Sequence, residues 1–423
     1  MARSLELYLH EQVVGVVTPD PRDRTRVVLA VDPAYTPEVV LSEAFTALPG
    51  RRVPGEAVSN FLGGYVPEGN HRVRMAAKRH IDKDDLFALL EQFGGSVAGA
   101  ATLRSPGETP GYRPSYEPLD DDQVAARLTR AIKDVDQAVP DDSRSTLPGY
   151  QPKVLVARFD GQWAYPRGRA HSTHILKPQV PARAHRIVDE YYSHELARGL
   201  GLAAYGSELR QAGPVTYLAI ERYDRVVRGQ TVTVTHQEDL AQALGLDWLD
   251  SDVKYQEPGW PDDPRRATAR RIGTLLGSLP GGGAVVEEWV RQVTYRLAIG
   301  DNDAHAKNVA LLHEAGGTRL APVYDAVPNL FQEGLASWNL ALAIDGTFDH
   351  RRVSIERLLA EVASWGVISA ARAADAVTTT LDGLDEALRR VPVPDGVSPG
   401  LAEHLHWNVH HLRAGDEIGE PGD

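Results

Sequence analysis

The hydrophobic pattern of this chain turns from mainly strand-like to mainly helical near residue 236, and that change limits the folds open to it. Up to about residue 235 the apolar residues fall in short alternating or continuous runs: LELYL from Leu5, VVGVV from Val13, RVVLAV from Arg26, VLVARF from Val154, then HILKP and TYLAIERYD. These are strand patterns, in which side chains alternate between two faces. From His236 the spacing becomes mostly helical. In EEWVRQVTYRLAIG, Trp289, Val290, Val293 and Leu297 share one face, and ISAARAADAVTTTLDGLDEALRRV keeps the same 3.6-residue habit. A β-rich block followed by a helical block predicts an α+β fold of two lobes with a cleft between them. No internal repeat or sustained heptad pattern competes with that reading.

With 423 residues there is material for two or three domains. The opening strands, a helix expected to be capped by Asp82 with Leu86, Leu89, Leu90 and Phe93 on one face, and a Gly94-Gly95 stop predict a small N-terminal α/β domain over residues 1–104. Residues 104–118, RSPGETPGYRPSYEP, carry four prolines and no periodicity, so residues 105–142 read as a linker or crossing strap with an acidic helix through Asp136. Residues 143–225 are then the β-rich lobe, 226–395 the helical lobe and 396–423 a C-terminal tail.

Composition removes several function classes. Lys plus Arg number 45 against 58 Asp plus Glu, a net charge of −13, which weakens any claim that the chain grips nucleic acid unaided. With no cysteine there are no disulfides, thiolate zinc sites, iron–sulfur clusters or cysteine nucleophile. Glu6, His10 and Glu11 interrupt the run that a signal peptide would need, and no apolar stretch approaches the roughly 20 residues of a membrane span. A soluble cytoplasmic protein is expected.

The sharpest cluster is GDNDAHAKN, Gly300 to Asn308, at the end of a predicted apolar helix. Asp303 and Asn308 stand five residues apart, and Asp325 follows in APVYDAVP after a strand-like run. A carboxylate that orients a hydroxyl, an amide that binds metal and a second carboxylate on the same metal form the catalytic half of a kinase site. Mg²⁺ needs few protein ligands when phosphate and water supply the rest. Taken singly, Asp-x-His-x-x-Asn also fits a helix end, and Asp325 a turn.

Upstream, TLPGYQPK (Thr146 to Lys153) places Gly149 in a turn whose N–H groups suit a phosphate chain, although G-x-x-x-x-G-K-[ST] is absent. Lys177 ends the strand THILKP, and Glu190 on the next helix is its plausible carboxylate partner. A water-exposed lysine and glutamate are the competing readings. Backbone at Glu221–Tyr223 leaves the β lobe on an extended segment that suits an adenine edge, or is simply core strand and turn. The order decides: Gly loop, strand lysine, helix glutamate, linking strand, helical lobe, Asp…Asn loop, metal Asp.

The segments LPGYQPK, THILKP, DEYYSHELARGLGL, LAIERYDR, QEDLAQALG, GDNDAHAKN and LAPVYDAVP resemble the HipA family of toxin kinases, and FLGGYVPEGN through GSVAGAATL is similar to that family's small N-terminal domain. The resemblance covers most of the chain. It implies a protein kinase-like bilobal fold with a β-rich N-lobe and a helical C-lobe, using ATP and Mg²⁺ to phosphorylate Ser or Thr on a protein. Carried over by position, Asp303 is the catalytic aspartate, and Asn308 and Asp325 hold the metal. Lys177 meets the phosphates. Pro148, Gly149, Tyr150, Gln151, Pro152 and Lys153 form the phosphate loop, and Glu221, Arg222 and Tyr223 the adenine-side hinge. His305, Ala306, Lys307 and Tyr324 fall within nucleotide-contacting stretches.

Family members are toxins of type II toxin–antitoxin pairs, restrained by a helix-turn-helix antitoxin that carries operator DNA binding. Characterised members phosphorylate aminoacyl-tRNA synthetases. Three departures stand out. The serine that is autophosphorylated elsewhere aligns with Thr146, beside Ser143 and Ser145. Pro148 stiffens the loop. Asp301 replaces an asparagine and is expected to raise the pKa of a neighbouring carboxylate.

Two rivals remain on sequence: a kinase-fold small-molecule phosphotransferase with the same Asp…Asn…Asp set, and a silent corepressor. His404, His406, His410 and His411 in HLHWNVHH read as a solvated tail helix rather than a metal site, and Gly281–Gly283 as a loop hinge.

Overall fold

A computed structural model describes residues 3–107, 114–133, 151–332 and 337–420. The chain divides into two compact units. The first comprises residues 1–178, 210–251 and 311–318, the second residues 179–209, 252–310 and 319–423.

The first unit begins with β1 (Leu5–Leu9), whose Leu5, Leu7 and Leu9 are buried in alternation, then β2 (Gln12–Pro19), β3 (Val27–Val31) and β4 (Arg52–Val53). Helices α1 (Gly55–Gly63), α2 (Gly69–Lys78) and α3 (Leu86–Phe93) follow, and β5 (Ala101–Arg104) closes a sheet of order β4-β3-β2-β1-β5. Every neighbouring pair is antiparallel, so this domain is α+β and not the expected α/β alternation. The cap of α3 is Asp85, whose Oδ1 accepts the Ala88 N–H at 2.9 Å. Asp82 closes the preceding turn instead, accepting from Asp84 N–H. Phe61, Phe87, Leu89, Leu90 and Phe93 fill the core against the sheet.

The proline-rich stretch ends in β6 (Ser115–Pro118), a strand and not a strap. Pro118 sits at its end on the sheet's edge, where a missing N–H is tolerated. Helix α4 (Asp121–Lys133) precedes β7 (Val154–Phe159), the Asp160-Gly161 turn with both residues at positive φ, β8 (Gln162–Arg167) and β9 (His174–Pro178). Helix α5 (Arg186–Gly199) belongs to the second unit, after which β10 (Ser207–Ala212) and β11 (Val215–Glu221) complete a six-stranded sheet of order β10-β11-β9-β7-β8-β6. Val124, Leu128 and Ala131 of α4 cover it, packed with Trp163, Tyr165 and Tyr217.

Beyond β11 the chain is less helical than its spacing predicts. A hairpin of β12 (Arg225–Arg228) and β13 (Thr231–Val234) leads to β14 (His236–Asp239), which opens the run expected to be helical, and to the single turn α6 (Leu240–Ala243). Helix α7 (Ala269–Ser278) follows, and α8 (Gly282–Ala298) forms over the segment read as helical. Of the Gly281–Gly283 run read as a loop hinge, only Gly281 stands before the helix, in left-handed conformation, while Gly282 and Gly283 lie in its first turn. Strands β15 (Ala310–Glu314) and β16 (Gly317–Leu320) pair beside β14, and β17 (Asn339–Ile344) pairs with β18 (Thr347–Asp349). Helices α9 (Ile355–Ser364), α10 (Ala370–Arg390) and α11 (Leu401–Ala414) complete the second unit. Helix α11 is not a solvated tail: Leu401, Leu405, Val409 and Leu412 are buried, and the Asn408 amide donates to Ala298 O at 3.0 Å. Among the described residues no helix is long and apolar enough to cross a membrane.

Within the first unit a buried ion cluster joins the N-terminal domain to the larger sheet. Asp224 accepts from Arg222 Nε at 3.0 Å, from Arg225 Nη1 at 2.9 Å and from Gly99 N–H at 3.2 Å, while Arg225 Nη2 donates to Val97 O. Burial opposes the Asp224 charge, but the two guanidiniums overrule it and hold its carboxyl well below the usual range.

Histidines behave in the opposite sense. Burial lowers His171 and His236 to about 3, and His194 and His350 to about 4, from an ordinary 6.5. Unfolded chain takes protons on these imidazoles as pH falls below about 6.5, whereas the folded chain resists until near 3 to 4. Their contribution to stability is therefore complete above about pH 6.5 and drains as pH falls through that window. The melting temperature should decline steadily from pH 6.5 to pH 4.5, before Asp224 begins to titrate. A flat profile over that range would contradict the assignment.

Candidate active site

Helix α8 buries Trp289, Val290, Val293 and Leu297 and so fixes where its C-terminal loop begins. Gly300 makes the exit: its φ is +72°, and a Cβ there would lie 2.5 Å from the Phe331 ring, so a larger residue has neither the backbone freedom nor the space. Residues 301–305 then cross to a short turn, Ala306–Asn308, which enters β15.

Arg296, in the last turn of α8 and almost wholly buried, organises this loop. Its Nη1 pairs with Asp301 Oδ2, and its Nη2 donates at 2.8 Å to the carbonyls of both Asn308 and Tyr324. One guanidinium thus ties the Asp…Asn loop to the segment that delivers Asp325. Asp301 Oδ1 accepts the Asp303 N–H at 3.1 Å, and Asn308 Nδ2 donates to Asp303 O at 2.8 Å. With Nδ2 committed inward, Oδ1 is the remaining arm of the Asn308 amide.

Asp325 has φ +51°, a left-handed conformation that costs a non-glycine residue about 1 kcal/mol or more. Such backbone persists only where its surroundings impose it, and such residues cluster at functional sites. Here the Arg296 bond to the preceding carbonyl and the Tyr324 hydroxyl, which donates to Lys307 O at 2.9 Å, hold the segment.

Asp303 keeps 45% of its side-chain surface accessible, as a residue that meets an incoming hydroxyl requires. Loss of solvent raises its carboxyl pKa. The Tyr255 hydroxyl, donating to Oδ1 at 3.0 Å, lowers it, the Asp325 charge raises it, and Lys254 and Arg186 lower it. The expected repulsion between Asp301 and Asp303 falls on Asp301, which also pairs with Arg296. Burial pushes Asp301 itself up to about 6, against the pull of that arginine. Mutual repulsion between Asp303 and Asp325, with the free oxygen of Asn308 nearby in the loop, is what a divalent cation would relieve. Among the described residues no group of three or more His, Asp or Glu could hold a metal alone. Two protein ligands supplemented by phosphate and water fit Mg²⁺.

Other residues fall as follows. His305 is buried, its Nδ1 accepts the Lys307 N–H at 3.2 Å, and its ring packs edge-on against Tyr255, with centroids 4.9 Å apart. Ala306 donates to Lys254 O at 3.2 Å. These contacts shape the loop. In the second unit Glu190 on α5 is buried, against the reading of a solvated glutamate. In the first unit Lys177 is buried on β9, opposite Leu218 of β11, against the reading of a strand-end lysine in water. Gln151, Pro152 and Lys153 precede β7 and are partly buried.

The hinge triplet divides: Arg222 is structural, its side chain on Asp224 and Ser172, its N–H on Thr173 O and its carbonyl on Arg225 N–H, while the Tyr223 hydroxyl donates to Gln237 at 2.6 Å. Pro148, Gly149, Tyr150, Thr146, Ser143 and Ser145 lie outside the described residues.

Sequence reasoning missed Tyr255, Lys254, Arg186 and Arg296. Only Arg296 left a local signal, a cation in the last turn of α8 five residues before Asp301. Arg186 Nη1 donates to Asn329 Oδ1 at 2.7 Å, linking α5 to the segment beyond Asp325.

Residues 145–388 match the HipA-like C-terminal domain, and residues 5–104 the HipA N-terminal domain. Protein Y4mE of Sinorhizobium fredii is 32% identical over 277 residues, which span 63% of this chain and 63% of that one. The serine/threonine-protein kinase toxin HipA of Shewanella oneidensis is 26% identical over 373 residues, 84% of this chain and 82% of its own. A Shewanella oneidensis structure of HipA, HipB and its operator DNA superposes with a TM-score of 0.78 at 22% identity, over 96% of this chain and 95% of that one. By homology the chain is a kinase of mixed α+β fold, a class that implies ATP. It belongs to the HipA family.

Proposed function

We propose that this chain is a HipA-like serine/threonine protein kinase toxin, transferring the γ-phosphoryl group of ATP to a Ser or Thr hydroxyl of a target protein. The observation that carries the reading is the loop tied by Arg296, which presents an accessible Asp303, the spare oxygen of Asn308 and the left-handed Asp325 from one scaffold. Asp303 orients the acceptor hydroxyl and takes its proton late in transfer. Asn308 and Asp325 supply the oxygens for Mg²⁺. When bound, that ion neutralises charge on the phosphates. Lys177 pairs with phosphate, and burial of its ammonium is consistent with an anionic partner. Residues 148–153 are the phosphate loop, and the backbone of Glu221 and Tyr223 the adenine side. The fold is read as bilobal, with residues 143–225 and 226–395 as lobes and residues 1–104 as the accessory domain.

In this reading a helix-turn-helix antitoxin restrains the kinase in the cytoplasm and carries operator DNA binding. An aminoacyl-tRNA synthetase is the target class implied by the family. The deciding experiment incubates wild-type chain with radiolabelled ATP, Mg²⁺ and heat-treated host lysate. Labelled protein bands, with or without one added phosphate on the chain by intact mass, are expected. Label on a small molecule alone would move the chain to the metabolic kinases. Absence of any transfer would favour a corepressor.

A further inference from the structure

The loop from Asp252 to Gln256 is pinned from several sides of the second unit. The Tyr255 N–H donates to Asp252 O at 3.0 Å, Lys254 O receives the Ala306 N–H, and the Gln256 N–H donates to Ala341 O at 2.9 Å. Ala341 in turn donates to Asn302 O at 2.9 Å, and Arg266 Nη1 holds Asp252 O at 2.8 Å. Two side chains project from this frame toward the Asp…Asn loop. Tyr255 donates its hydroxyl to Asp303 Oδ1 and packs its ring against His305. Lys254 is buried, with Nζ 5.5 Å from the Tyr255 ring centroid, and its charge acts on Asp303.

An ammonium withdrawn from water is costly unless anions compensate it, and the second unit gathers Asp303 and Asp325 here. A carboxylate with one oxygen already bonded to a fixed phenol has one orientation rather than several. We propose that Tyr255 and Lys254 are a positioning pair for phosphotransfer: the phenol fixes Oδ1 of Asp303 so that Oδ2 meets the acceptor hydroxyl, and the ammonium balances the local carboxylate charge. This inference rests on the phosphotransfer reading above.

Packing and hydrogen bonding separate cleanly at Tyr255, because Tyr255→Phe keeps the ring against His305 and removes only the hydroxyl. In the label-transfer assay with heat-treated lysate, Tyr255→Phe should lower kcat by about tenfold to a hundredfold, the size of effect that misplacing a reacting group produces. The KM for ATP and the melting temperature should stay at wild-type values. Lys254→Met should also lower kcat, and Lys254→Arg should restore most of it. Three outcomes would overturn the inference: Tyr255→Phe with at least half the wild-type kcat, a loss explained by KM or melting temperature alone, or a faster variant. A wild-type chain that transfers no label overturns the underlying reading as well. An active wild type beside an equally active Tyr255→Phe overturns the positioning pair alone.

Discussion

Asp303→Ala should reduce transfer of label from ATP to protein by about 10²–10⁴-fold, the range typical of losing a positioned general base. Fold and nucleotide affinity should be nearly unchanged. The side chain is substantially accessible, so truncation opens no core cavity. The Asp303 carbonyl and N–H, which bond Asn308 and Asp301, remain after truncation. Relief of the repulsion between Asp303 and Asp325 even removes an unfavourable term. The prediction thus splits chemistry from structure: kcat collapses while melting temperature holds or rises slightly. A variant that kept more than a tenth of the wild-type rate would remove Asp303 from the mechanism. A variant that lost activity only by unfolding would leave the carboxylate a structural role and no more.

That prediction was accessible from the sequence because its residues sit in one short stretch whose spacing carries the chemistry. Asp303 and Asn308 are read off GDNDAHAKN, and the helix that delivers them is visible in the 3.6-residue spacing of Trp289, Val293 and Leu297. Buried strands such as β7 and β9 were equally legible as continuous apolar runs. What stayed hidden depends on contacts between distant segments. Tyr255 meets Asp303 across 48 residues, and nothing in KYQEPG marks the tyrosine as a partner of a loop that far away. The strand β6 was hidden by the proline-rich stretch it ends and by its own Pro118, which an edge position accommodates. Helix α11 carries polar histidines on its exposed side, so its apolar face was overlooked as a tail. Asp301 was legible in part: its repulsion with Asp303 follows from the sequence, whereas its burial and its pairing with Arg296 exist only once the end of α8 meets the loop.

Arg296→Met should destabilise the second unit by about 3–5 kcal/mol, because it leaves a buried carboxylate without its cation. The pair is about as enclosed as a salt bridge can be, with side-chain exposure of 2% for Arg296 and 0% for Asp301. In its absence the Asp301 carboxylate keeps, among the described residues, the Asp303 N–H and a long contact, 3.4 Å, from Asn329 Nδ2. The carbonyls of Asn308 and Tyr324 lose a donor at the same time. Catalysis should suffer beyond the stability loss, since the same guanidinium ties the backbone of the Asn308 loop to the segment carrying Asp325. Adding Asp301→Leu to Arg296→Met removes the stranded charge and should recover a large part of the stability, as replacing both members of a buried pair often does. It should recover little activity, because the two carbonyls would still lack their donor and the left-handed backbone at Asp325 its restraint. Denaturant unfolding of the two variants, read beside their transfer rates, distinguishes these effects. If the double variant regains rate in proportion to stability, the arginine serves the fold alone. If stability returns without rate, its bridge between the two loop segments is what the chemistry requires.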